Sequence, residues 1–214
     1  MRYLCLFALL MLAACSGRPL STGERNLAAD FFGDSLDAGK VRVKSGFRGA
    51  PPVQDPPLPE KIEPIETRPG ICDRTGPSAP EGPPPAWALY NTVHFAKDYY
   101  RTDLAPGWPD QILIPQSFIF THELLHVWQW QNRKLTGYRP AKAGLESVFN
   151  LDPYFYVPAE GEGFLKYGFE QQASLMEDYM CYGLFDPANP RRAKIRTILE
   201  PYFPMNRVDA VLSR

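Results

Sequence analysis

The run THELLHVWQWQ places His122, Glu123 and His126 at the spacing HExxH. On a helix, residues four apart lie on one face, so both imidazoles reach toward one metal ion. The glutamate beside the first histidine then stands where it can take a proton from a metal-bound water, which is the chemistry of hydrolysis at an activated carbonyl. The chain has three histidines in 214 residues, and two of them are here. A histidine on an amphipathic helix is ordinarily packing. That reading weakens when two histidines and a glutamate fall in register.

Two histidines do not complete a catalytic zinc site, which takes three protein ligands and keeps one position open. The remaining one, His94, lies upstream on a segment read as strand, and is taken as a half-exposed strand residue. The third ligand is then a downstream carboxylate. A helix read from about Phe164 to Gly183 offers Glu170, Glu177 and Asp178. Glu170 and Glu177 are two turns apart and share a face, so spacing alone does not choose between them. Tyr156, Tyr167 and Tyr179 are candidate donors to a developing oxyanion, although most of the 11 tyrosines must be packing.

Other elements must hold these residues. Residues 21–45 read as a helix and a short strand: Leu27, Ala28, Phe31 and Phe32 recur at helical spacing, Gly33 and Asp34 break it, and 41–44 alternates. Residues 49–86 hold 12 of the 23 prolines, which forbids a helix or central strand and leaves an extended linker or surface strap. Trp87 to Phe95 alternates as one strand, and Ile112 to Ile114 reads as a second, ended by Pro115. The motif helix starts near Ser117, carries Arg133 and Lys134 in its last turns, and stops at Gly137. Trp128 and Trp130 are expected to fill the core behind it. Residues 138–163 are punctuated by Gly and Pro, and 191–200 read as a last helix whose basic run, Arg191 to Lys194, is a solvated face.

The N-terminus reads as a targeting segment. Arg2 supplies positive charge, and Leu4 to Ala14 is apolar but too short to span a bilayer. Leu12-Ala13-Ala14-Cys15 resembles the lipobox of bacterial lipoproteins. That resemblance implies cleavage after residue 14, acylation of Cys15 and a place in the cell envelope. Ser16 rather than Asp favours the outer membrane. The formal net charge is −1 with no basic stripe, which argues against a nucleic-acid partner. Cys72 and Cys181 are then the remaining thiols, expected to pair in an oxidising compartment.

The run HELLHVWQWQ, with EQQASLMEDY beyond it and GERNLAADFFGDSLDAGKVRV before it, resembles the bacterial Vgr-related zinc metallopeptidase family. That family is kin to an HExxH core domain found near contractile injection systems. The likeness covers about residues 20–45 and 88–182 and leaves out the proline strap. It implies an α+β, zincin-like fold, with a small sheet on the motif helix and a second helix supplying the third ligand. It implies Zn2+ as cofactor, Glu170 as third ligand and Glu123 as base in hydrolysis of a peptide or protein substrate. Ser174 stands where such families often place an Asp that orients the first histidine; Asp178 or Asp110 is the expected substitute. The expected organisation is a signal over 1–14, an anchor with helix and strand over 15–48, the strap over 49–86 and the catalytic domain over 87–214. The alternative is a metal-binding envelope lipoprotein without turnover. An injected component fits less well, because a lipidated chain stays on its membrane.

Overall fold

A computed structural model of the chain describes residues 17–46, 65–79, 82–159 and 161–213. The signal segment, Cys15 and residues 49–64, 80 and 81 of the strap lie outside the described residues. The architecture is mixed α+β: a four-stranded sheet and seven α-helices among the described residues. The strands are β1 (Arg18–Pro19), β2 (Arg42–Ser45), β3 (Ala86–Leu89) and β4 (Thr92–Phe95). Their order is β1-β2-β4-β3, with β2 and β4 parallel and the outer pairs antiparallel. β3 is therefore an edge strand of this sheet.

Helix α1 (Thr22–Phe32) begins at a capping box, in which Ser21 and Glu24 satisfy each other's backbone N–H groups. Glu24 is fully buried, and this is tolerated because Arg18 meets it through two short hydrogen bonds and Leu104 N–H donates to it. Leu27, Ala28, Phe31 and Phe32 all face the core as their spacing predicts.

The centre of the molecule is α2 (Gln116–Gln131), which carries the HExxH run. Its residues from 116 to 129 are buried except Ile119, as befits a helix that is apolar nearly all round and covered on every side. One flank packs on β3 and β4, and the other on α5 (Phe169–Phe185). Trp128 is sealed behind the motif: its indole N–H donates to Ser35, and its ring packs 4.8 Å from that of Phe203. A single turn, α3 (Arg133–Thr136), follows and ends at Gly137, whose φ of 68° suits a residue without a Cβ. α4 (Pro140–Phe149), α6 (Pro190–Leu199) and α7 (Met205–Leu212) complete the set.

Several expectations need correction. Trp87 to Phe95 is a hairpin rather than one strand, because Tyr90 turns the chain at φ 55° and lets β3 fold back on β4. Ile112 to Ile114 is not a strand. Both sides of β4 are already paired, and the Leu113 carbonyl accepts from Ser117 N–H, so this backbone launches α2. Residues 138–163 contain α4, started by Pro140 at its first turn, where a missing N–H has no consequence. Trp130 is only partly buried, between Tyr90 and the Arg133 guanidinium. The run from Arg191 is not wholly solvated: Arg191 donates to the Tyr156 carbonyl and Arg192 pairs with Asp209 at 2.6 Å.

The described part of the strap is fastened to α5. Cys72 and Cys181 form a disulfide. Beside it Arg74 makes two 2.9 Å hydrogen bonds to Asp178, Tyr182 donates to Asp73, and Gly70 N–H donates to Asp186.

Candidate metal centre

The site lies between α2 and α5. The fourfold spacing on α2 puts His122 and His126 on the face toward α5, and Glu170 in the first turn of α5 meets them. The Nε2 atoms of His122 and His126 lie 3.2 and 3.1 Å from the same Glu170 oxygen. These three donor atoms all fall within 4.8 Å of one another, a group able to hold a metal ion.

Each ring is aimed by a partner on its other nitrogen. His122 Nδ1 donates to Glu177 at 3.0 Å, and His126 Nδ1 donates to the Gln129 side-chain oxygen Oε1 at 2.8 Å. The Gln129 amide group is itself fixed, donating to the Phe169 carbonyl and the Gln172 side chain, so only its oxygen can face the histidine. With Nδ1 of each ring donating to its own partner, Nε2 is the nitrogen each histidine presents to a metal once its proton is displaced, as metal-binding histidines require. Such ligands lie about 2.0–2.2 Å from zinc, and donor atoms a little over 3 Å apart suit that geometry.

Glu123 is the second sign of fit. It is 5% exposed, and its Oε2 has no hydrogen-bond partner although it is buried. Burial pushes its carboxyl up to about 7, against the pull of His126 and His122. The His122 ring shows the opposite balance. Burial disfavours its charge, but Glu170 and Glu177 outweigh that and raise it to about 10. His126 is raised as well, by Glu170 against burial. The Glu170 carboxyl, although buried, is held well below its usual range by the two histidines.

The other residues singled out in the sequence take different places. Glu177 touches His122 Nδ1, the position for which Ser174 lacked an acid; Ser174 itself is fully buried with an unpartnered hydroxyl. Asp178 is engaged by Arg74 and by the Tyr156 hydroxyl, and Asp110 lines a separate hollow. Of the three tyrosines, Tyr156 donates to Asp178, Tyr167 accepts from Ala159 N–H, and Tyr179 donates to Asp209. Tyr138 and Tyr154 face the site instead, with ring centroids 6.2 Å from His126 and 5.7 Å from His122 respectively. Burial keeps both phenols protonated to high pH. His94 lies apart, stacked on Trp87, with Nδ1 toward the Gly46 carbonyl.

These groups open into a cleft of about 770 Å³. Edge strand β3 forms one wall with Pro83, Pro84 and Pro85 before it, and Ala143, Gly144 and Ser147 of α4 form the other. Among the described residues, Arg74 is its only cationic lining residue apart from the histidines.

No family model matches the chain. It is 29% identical over 168 residues to the type VI secretion system spike protein VgrG2b of Pseudomonas aeruginosa. That match covers 77% of this chain and 13% of the length of the spike protein. Among solved structures, the effector domain of P. aeruginosa VgrG2b has a similar fold: the TM-score is 0.50 at 24% identity, over 88% of this chain and 85% of that one. The likeness is one of fold, and over that share of the chain it reaches well beyond the HExxH run.

Proposed function

We infer that this chain is a zinc-dependent peptidase of zincin-like architecture, held on the bacterial cell envelope by lipid on Cys15. The observation that carries the reading is the convergence of His122 Nε2, His126 Nε2 and Glu170 on one point, with Glu123 unpartnered beside it. His122, His126 and Glu170 would hold the ion, which supplies Lewis acidity toward a carbonyl and toward water.

The remaining chemistry belongs to the chain. Glu123 removes a proton from the attacking water and returns it to the leaving amine. Tyr154 and Tyr138 both line the cleft and are the phenol donors available where negative charge would develop on the carbonyl oxygen. β3 is the last strand of the sheet among the described residues and lines the cleft, so an extended peptide would add beside it as a further strand. Pro83 to Pro85 have no N–H groups and end that pairing surface at the strand itself. The apolar walls favour polypeptide over a highly charged polymer.

Glu123→Gln tests the mechanism. The variant is expected to bind metal like the parent and to lose peptide cleavage by about 10²–10⁴-fold, the usual range for removing a general base. Cleavage at the parent rate would overturn the assignment of Glu123. Metal binding without any cleavage by the parent, across a broad peptide library, would favour an envelope protein that binds without turnover.

A further inference from the structure

The outer side of α4 exposes a strip of large apolar side chains. Leu145 is 56% exposed, Val148 76%, Phe149 80% and Leu151 69%. Single exposed apolar residues are ordinary, but a run of them along one helix and its exit marks an interaction surface. Leu145, Val148 and Phe149 stand at i, i+3 and i+4 and so share a face. Ala143, Gly144 and Ser147 point the other way, into the cleft. The helix therefore has one side on the candidate active site and the other side unclaimed among the described residues.

The charge on α4 and on the turn before it identifies what fits the strip. Arg133, Lys134, Arg139 and Lys142 are all exposed. The acids from 133 to 152 are Glu146, which accepts from the Phe169 N–H, and Asp152, which accepts from the Ser78, Tyr154 and Phe155 N–H groups. In a chain of net charge −1 this is a local excess of cations. Apolar and aromatic residues flanked by Lys and Arg are the pattern of a helix that lies in the interface of an anionic bilayer. An apolar strip alone would suit a protein partner as well; the four cations favour lipid. Tether length bears on distance from a membrane and does not select this face, because β1 and the cleft-lining β3 are opposite edges of the sheet. Only Ser16 separates Cys15 from Gly17, the first described residue, and β1 starts at Arg18. Three residues reach about 10 Å at most, so a chain acylated at Cys15 rests against its membrane.

We propose that the Leu145–Val148–Phe149 face of α4, with Leu151, docks on an anionic lipid surface. The cleft mouth then stands about one helix diameter, roughly 10 Å, from the bilayer. The proposal rests on the anchored-peptidase reading and narrows its substrate class to polypeptide lying on, or emerging from, a membrane.

The test uses the lipidated protein in phosphatidylcholine vesicles containing phosphatidylglycerol. Phe149→Trp adds a reporter at the centre of the strip, read as the difference from the parent emission. The added emission should be blue-shifted, and acyl-chain-brominated lipid should quench it by roughly half or more. Val148→Asp in the Phe149→Trp background should remove the quenching while metal content is unchanged. Water-like, unquenched emission would overturn the proposal. Blue-shifted emission that brominated lipid leaves intact would do so too, and would point to a protein partner or a second copy. Intact mass reads the acyl group on Cys15 separately. If that lipid is absent, quenching by added vesicles still sustains the docking surface, and its loss overturns it.

Discussion

Glu177 decides whether His122 presents the right nitrogen to a metal ion. Its carboxylate holds Nδ1 at 3.0 Å, and Arg74 stands 3.9 Å from the same oxygen. Replacing the charge with an amide should leave the fold intact, since Glu177 is partly exposed, and should weaken zinc binding by about 10–100-fold, as losing such a supporting carboxylate usually does. Competition with a chromogenic chelator measures this; unchanged affinity for Glu177→Gln would mean that packing alone orients the ring. The same two histidines set a pH dependence. Without metal, the His122 charge is favoured by Glu170 and Glu177, so its pKa lies above the unfolded value of about 6.5. Its contribution to stability is therefore full below about 6.5 and fades as pH rises toward about 10. Metal binding must displace those protons, so apparent affinity rises with pH, and calorimetry in buffers of different ionisation enthalpy should register proton release. His122, Glu123 and His126 were legible in the sequence because helical spacing carries their geometry. Glu170 and Glu177 were not separable, because residues two turns apart share a face; only the packing of α5 on α2 shows that Glu170 meets Nε2 and Glu177 meets Nδ1. Gln129 left no signal beyond its position three residues after His126, since an amide gains its orienting role only once Gln172 and the Phe169 carbonyl pin it.

Among the elements, α2 owes its place to burial. A helix apolar on nearly all sides must be covered, and the sheet and α5 cover it. Its position could be read from composition, whereas its neighbours were harder. β3 and β4 looked like one strand because the alternation runs through the turn at Tyr90, a residue that gives no turn signal. α4 was hidden by its own Gly144 and by surrounding Gly and Pro, and it has only one buried residue, Ala143, to mark a core face. The exposed strip that obscures its amphipathic pattern is the one assigned above to lipid. The strap is held by chemistry that sequence could suggest only as a pair of cysteines. The Cys72–Cys181 link closes a loop spanning 109 positions, so Cys72→Ser with Cys181→Ser should lower stability by about 2–5 kcal/mol. Denaturant unfolding of the oxidised parent and the double variant reads this directly. No change would mean that Arg74, Asp73 and Gly70 hold the strap unaided.

In the whole molecule, the sheet edge and α4 face each other across a cleft whose floor is the pair of helices α2 and α5. The parts divide the chemistry between them. On the proposed peptidase reading, the two helices would supply the ligands and the base and the edge strand the backbone pairing, while α4 closes the far wall. No helix among the described residues is long and apolar enough to cross a membrane. All of this chemistry depends on the metal. The most direct measurement is the zinc content of the full-length protein, purified without chelator beside His122→Ala. A site of two histidines and a glutamate with one position open should hold about one zinc per chain in the parent and near none in the variant. A folded parent that takes up no zinc when it is supplied would show that these residues do not form a zinc centre.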